Sequence, residues 1–205
     1  MGLRQADSTD RERTLSAAWL AVLIMAAISL AIAVFGDDGR AWLAYDRAAI
    51  SAGEYWRLLT GHFTHLSWQH LFYNFVGLSL ITFLVASELK AGELLMIWIF
   101  ALPTVSAGLW FFQPDLQWYV GLSGAQHGLL TAGLLASIGR WGIEHWVVAI
   151  IVAGKLVYEQ LFGALPFSEG ASGDAVIVAS HFYGAVSGCI TGASIAIRVR
   201  AQASI

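Results

Sequence analysis

Charge is what this sequence has least of. Only 12% of its 205 residues are Asp, Glu, Lys or Arg, against 58% hydrophobic. A soluble domain devotes about a quarter of its residues to charge, so an ordinary water-facing globule is excluded. Cysteine is almost absent as well: Cys189 stands alone, which rules out an internal disulfide and leaves the redox compartment unreadable. The net charge of −3 has the wrong sign for binding nucleic acid, and no such partner is expected. Heptad arrays, long repeats, low-complexity tracts and HExxH or carboxylate-rich metal motifs are all missing. No cofactor or metal is therefore expected.

What remains is apolar and divided. Six stretches, at about 14–35, 68–87, 93–112, 122–139, 143–163 and 175–197, approach the length of about 17 to 25 residues that a spanning helix needs. The chain reads as an all-α integral membrane protein, one domain over 1–205 with six transmembrane helices. The first stretch follows a polar, arginine-containing N-terminus like a signal peptide. Its apolar run from Leu15 to Phe35 exceeds a usual signal core and no clean cleavage site follows, so it is expected to be retained. Arg4, Arg11, Arg13, Lys90, Arg140, Arg198 and Arg200 fall on one side, and Arg40, Arg47 and Arg57 on the other. The richer side should be cytoplasmic, which puts both termini inside. The long first loop, 36–67, then lies outside. Its Trp42, Tyr45, Tyr55, Trp56 and Trp68 suit a partly helical segment at the membrane interface.

Polar side chains within apolar spans are expensive and face the bundle interior or a water-filled cavity. Here they collect at one end. The second, fourth and sixth stretches run in the same direction, and their N-terminal halves carry His70 and Asn74, Ser123, and His181 respectively. His70 and Asn74, four apart, share one helix face. A serine hydroxyl needs a general base, and His181 supplies one. The Asn74 amide, a His70 ring nitrogen and the Ser123 backbone N–H are candidate oxyanion donors. Gly121 frees the chain's entry into the fourth helix. Small residues recur at a spacing of four, Gly124, Gly128 and Ala132 in one stretch and Gly184, Gly188 and Gly192 in another, which lets two backbones approach. No acidic residue lies near His181 in sequence, so a Ser-His dyad with a ring oriented by packing is expected.

The pieces "YWR" (55–57), "HLFYN" (70–74), "GLSG" (121–124) and "SHFYGAVSG" (180–188) resemble, in order and over nearly the whole chain, those of the rhomboid family of intramembrane serine proteases. The resemblance implies a six-helix rhomboid-like bundle, with Ser123 as nucleophile, His181 as base, His70 and Asn74 as oxyanion contributors, and Trp56 and Arg57 as the outer loop's tryptophan-arginine pair. "WYVGLSGAQHGLL" and "GKLVYEQLFG" make the chain most similar to the rhombosortase branch. That likeness implies substrates that are exported single-pass proteins with a C-terminal tail of Gly-Gly, a transmembrane helix and a basic cluster, cleaved near the outer face of a bacterial inner membrane. Membrane lipids are the other implied partner. Many rhomboids carry a tyrosine four residues after the serine. His127 stands there in this chain, and is expected to pack on His181 and alter the working pH.

Lys155 and Glu159 lie four apart in the fifth stretch, where many rhomboids carry bulky apolar groups at the point of lateral substrate entry. They admit two readings, an ion pair that neutralises itself or a polar gate for the Gly-Gly region. His62 and His65 read as loop-packing residues, His145 as interfacial and Cys189 as a small packing residue. Two other functions stay in view. One is a catalytically silent rhomboid-like binder of membrane clients, and the other a metal or haem protein using His65, His70, His127 and His181.

Overall fold

The computed structural model describes residues 8–140, 142–166, 168 and 176–203. Arg4 and the expected start of the sixth stretch at residue 175 lie outside the described residues. Helix α1 (Ser8–Val34) leads into three short helices, α2 (Gly36–Leu43), α3 (Arg47–Ser51) and α4 (Arg57–Thr60). Then come α5 (Trp68–Val85), α6 (Ala91–Phe112), α7 (Ser123–Ala136), α8 (Ile143–Phe162) and α9 (Val178–Ala203). Local signals set several ends. The Ser67 hydroxyl caps α5 by accepting from the His70 N–H at 3.1 Å. At the start of α6 the Glu93 carboxylate accepts from the Lys90 N–H at 2.8 Å. Gly163, at φ +84°, closes α8.

Among the described residues, five helices are long and apolar enough to cross a membrane: α1, α5, α6, α8 and α9. The expected sixth, over 122–139, differs. Helix α7 has 14 residues, about 21 Å at 1.5 Å per residue, against an apolar layer of roughly 30 Å. Nearly all of it is buried among the other helices. Burial in protein and burial in lipid select the same apolar residues, so an apolar run does not fix the length of a helix in the bundle interior.

Helix α7 is the axis of the bundle and packs against α5, α6 and, most closely, α9. The contact with α9 is backbone on backbone. A side chain on Gly128 would stand 3.0 Å from the Gly184 carbonyl oxygen, and one on Gly184 would fall on the Gly124 carbonyl. Gly188 and Gly192 meet Gly128 and Ala132 in the same way. Around this core the outward faces carry Leu20, Leu23, Phe72, Phe83, Leu95, Ile99, Ile150 and Leu161, all exposed, as in a bundle whose surroundings are hydrocarbon. Helix α8 is the loosest member. It touches α7 and α9 lightly and leaves most of its apolar surface bare.

The 36–67 segment is folded onto the bundle. Strand β1 (Tyr45–Asp46) pairs antiparallel with β2 (Trp118–Tyr119), Tyr45 opposite Tyr119. Arg47 donates to the carbonyls of Leu109, Trp110, Gln113 and Leu116, satisfying the acceptors left at the end of α6. Buried Arg57 bonds the Ala41 and Ala44 carbonyls at 2.9 Å each and the Glu54 carboxylate at 2.6 Å. His62 is fully enclosed. Its Nε2–H donates to Ser106 Oγ at 2.9 Å, and Ser106 donates onward to the Leu58 carbonyl. Burial pushes His62 down to about 4 and, together with neighbouring His70, pushes His65 down to about 3.

Two expectations follow from this packing. Gly184→Ala should destabilise the bundle by about 1–3 kcal/mol, as overpacking does, whereas Gly154→Ala, with open space around it, should stay within about 1 kcal/mol. Reversible unfolding in detergent or bicelles measures both. His62 is buried neutral, so the unfolded chain binds the extra proton and stability should fall as pH drops from 6.5 through about 4. The loss approaches about 3 kcal/mol, and His62→Gln should flatten that part of the stability–pH curve.

Candidate active site

The two small-residue helices bring a hydroxyl and an imidazole together. Ser123 opens α7 and His181 lies in the first turn of α9. Ser123 Oγ and His181 Nε2 are 3.0 Å apart. The approach depends on Gly124, whose missing side chain would stand 2.9 Å from the Ser180 carbonyl oxygen.

The turn before Ser123 is set from the folded loop. Gly121 N–H donates to the Gly61 carbonyl at 3.1 Å, and the Tyr119 hydroxyl donates to the Gly121 carbonyl at 2.5 Å. Gly121 has φ +115°, a conformation that disfavours L side chains, and a Cβ there would stand 3.0 Å from the His70 ring. His70 therefore lies directly beside the residue that leads into the serine. Asn74 is buried one turn along α5. Its side-chain amide N–H donates to the His70 carbonyl at 3.0 Å, and its backbone carbonyl accepts from the Gln126 side chain at 2.8 Å. One Asn74 N–H is thus engaged with backbone, and the second remains for a developing oxyanion. The N–H groups at the start of α7 are further donors, left without intrahelical partners by helix geometry.

The other face of His181 holds what sequence reasoning missed. His181 Nδ1 lies 2.9 Å from Glu159 Oε2. The expected absence of a neighbouring carboxylate is corrected: Glu159 precedes His181 by 22 positions and reaches it from α8. Lys155 donates to Glu159 Oε1 at 2.7 Å, so the expected ion pair is present, and both members face the histidines. Lys155 Nζ also stands 3.1 Å from His127 Nε2 and 3.2 Å from His181 Nδ1. His127 stacks on His181 with ring centroids 4.3 Å apart, and its Nδ1 lies 2.7 Å from the Ser123 carbonyl oxygen.

One protonation pattern satisfies the contacts of Glu159 and His127 and leaves the approach of Lys155 Nζ to His181 Nδ1 as a close passage of two donors, not a hydrogen bond. A lysine ammonium can only donate, so His127 Nε2 accepts and His127 Nδ1–H donates to the Ser123 carbonyl. His181 Nδ1–H donates to the carboxylate, which leaves Nε2 as the acceptor facing the serine hydroxyl. That tautomer is the one a general base requires.

His62 and His65 are packed beneath the loop, away from this group. His65 meets His70 edge to face at 5.1 Å. Among the described residues, no three His, Cys, Asp or Glu side chains are grouped to hold a metal ion. Gln126 was overlooked in the sequence although it lies three residues after the serine. An amide within an apolar stretch, close after the serine, is the signal that would have found it.

A Rhomboid domain model matches residues 52–198, most of the chain and all of the residues just described. The chain belongs to the rhomboid family. The proteins named Rhomboid protease GlpG of Salmonella paratyphi A, Salmonella typhi and Salmonella newport are each 29% identical to it over 124 residues. Those alignments cover 60% of this chain and 44% of each relative, so the matched region is less than half the relatives' length. As a rhomboid with five membrane-capable helices, the chain is a membrane protein.

The contact between Gly121 and His70 can be isolated. Gly53 also has a positive φ, +106°, but open space around it. Gly121→Ala should cost about 1–2 kcal/mol more than Gly53→Ala, because it adds overpacking to backbone strain. In a His70→Ala background that excess should vanish, and unfolding of the four variants measures it.

Proposed function

We propose that this rhomboid is an intramembrane serine endopeptidase. The observation that carries the reading is the 3.0 Å contact between Ser123 Oγ and a His181 Nε2 left free to accept. His181 takes the serine proton as Oγ attacks a substrate carbonyl. The oxyanion forms beside the start of α7, within the reach assigned to His70, Asn74 and the Ser123 N–H. His181 then gives its proton to the departing amine as the C–N bond breaks. A water molecule, losing a proton to His181, hydrolyses the acyl-enzyme, and the proton returns to Ser123. An amine in place of water would make the net reaction a transfer.

Substrate and placement rest on the sequence. The rhombosortase-like segments favour single-pass proteins with a Gly-Gly, transmembrane and basic tail. The same segments favour a bacterial inner membrane, and the distribution of Lys and Arg favours both termini cytoplasmic. In that orientation the N-terminal end of α7, and with it Ser123, opens toward the outer side.

The test is a reporter carrying such a tail, incubated in membranes with wild type, Ser123→Ala or His181→Ala and followed by mass spectrometry. Tail release by wild type, reduced at least about 10³-fold in both variants, is the expected outcome. An added mass on the new C-terminus would reveal transfer to an amine. Equal release by all three proteins would remove Ser123 as the nucleophile. No release by any, with normal folding, would favour a silent binder of membrane clients.

A further inference from the structure

Glu159 is the most enclosed charged side chain near the site, with 1% of its side chain exposed. Both carboxylate oxygens are engaged, Oε1 by Lys155 and Oε2 by His181. A gate that binds substrate needs a free polar edge, and Glu159 has none. An ion pair that merely neutralises itself needs no third partner, yet this one is shared with the imidazole facing Ser123.

The charges around His181 come from three helices. Helix α5 contributes His70, α7 contributes His127, and α8 contributes Lys155 and Glu159. When the ring takes the serine proton it becomes a cation beside the Lys155 ammonium, a like-charge contact that would oppose the transfer. Glu159 lies against both cations and offsets that repulsion. A neutral His127, accepting from Lys155, adds no further positive charge to the stack.

We propose that Glu159 is a positioning residue that completes a Ser123, His181 and Glu159 relay, with Lys155 holding the carboxylate in place and His127 in its accepting tautomer. The proposal rests on the peptidase reading for its chemical consequence, although the ring geometry stands apart from turnover. Glu159 keeps Nδ1 protonated and Nε2 toward the serine, and it stays ionised throughout. The proton travels only from Ser123 Oγ to Nε2, and from there to the leaving nitrogen.

The first arm of the test requires no catalysis. In Ser123→Ala protein labelled with 15N-histidine, the His181 Nδ1–H proton should resonate downfield as a strongly hydrogen-bonded proton. Adding Glu159→Gln should remove that signal, and adding Lys155→Met should retain it. The second arm follows tail release by wild type, Glu159→Gln, Lys155→Met and the double variant against pH. Glu159→Gln should lower kcat on the order of 10²–10³-fold with KM changed less than about threefold, and should move the acidic limb to lower pH, because Lys155 then stands uncompensated. Lys155→Met should move that limb the other way. The double variant should recover at least about tenfold over Glu159→Gln, since the lone cation is gone.

A His181 signal indifferent to Glu159→Gln would overturn the relay. So would a rise in KM at constant kcat with an unmoved pH limb in both single variants, the signature of a substrate gate. An intact Nδ1 signal that depends on Glu159, in a wild type that releases no tail, would uphold the positioning role while sinking the peptidase reading for that substrate.

Discussion

Backbone contact between α7 and α9 is the constraint on which everything else depends. Gly124, Gly128 and Ala132 on one helix meet Gly184, Gly188 and Gly192 on the other, backbone close to backbone. In hydrocarbon there is no hydrophobic effect to press helices together, so close van der Waals contact supplies much of the attraction. The same closeness sets the chemistry. Ser123 and His181 have short side chains, and a hydrogen bond between them requires their backbones to be about this near. Packing and site geometry are one feature at that seam, and a methyl group placed there strikes at both.

Charge inside the bundle is handled by sharing. Lys155 and Glu159 would each be costly in an apolar layer. Together with His127 and His181 they form a connected set in which the carboxylate accepts from Lys155 and His181, and His127 accepts from Lys155. The loop from 36 to 67 plays the corresponding role at the end where Ser123 lies. Arg47 and Arg57 quench carbonyls left over by helix ends, while Gly61 holds Gly121. That chain of contacts runs from a segment outside the spans to the residue two places before the serine.

Much of this was legible in the sequence, for physical reasons. Apolar runs mark α1, α5, α6, α8 and α9 because lipid-facing and core-facing positions are both apolar. The glycine spacing of four announced the close helix pair, and the reactive residues at their neighbouring ends announced what it would bring together. The length of α7 was not legible, because interior helices and spanning helices share a composition. The partnership of Glu159 with His181 was hidden for a different reason. Proximity in sequence is a poor guide to proximity across helices, and a carboxylate 22 positions away on a separate helix escapes it. The pairing of Lys155 with Glu159 was visible from their spacing, but a spacing on one helix says nothing about what the pair faces.

The loose seating of α8 has a mechanical consequence. The site's two halves are anchored differently: Ser123 and His181 by a rigid glycine seam, Glu159 by a helix that barely packs against either. A sideways shift of α8 by an ångström or two stretches the carboxylate's bond to the ring while the seam keeps its spacing. The nucleophile and base thus behave as a fixed vice, and the carboxylate as a detachable brace. The stiffness of the brace is set by the bonds of Lys155 to His127 and of Glu159 to His181, backed by the little of α8 that is buried, chiefly Val152.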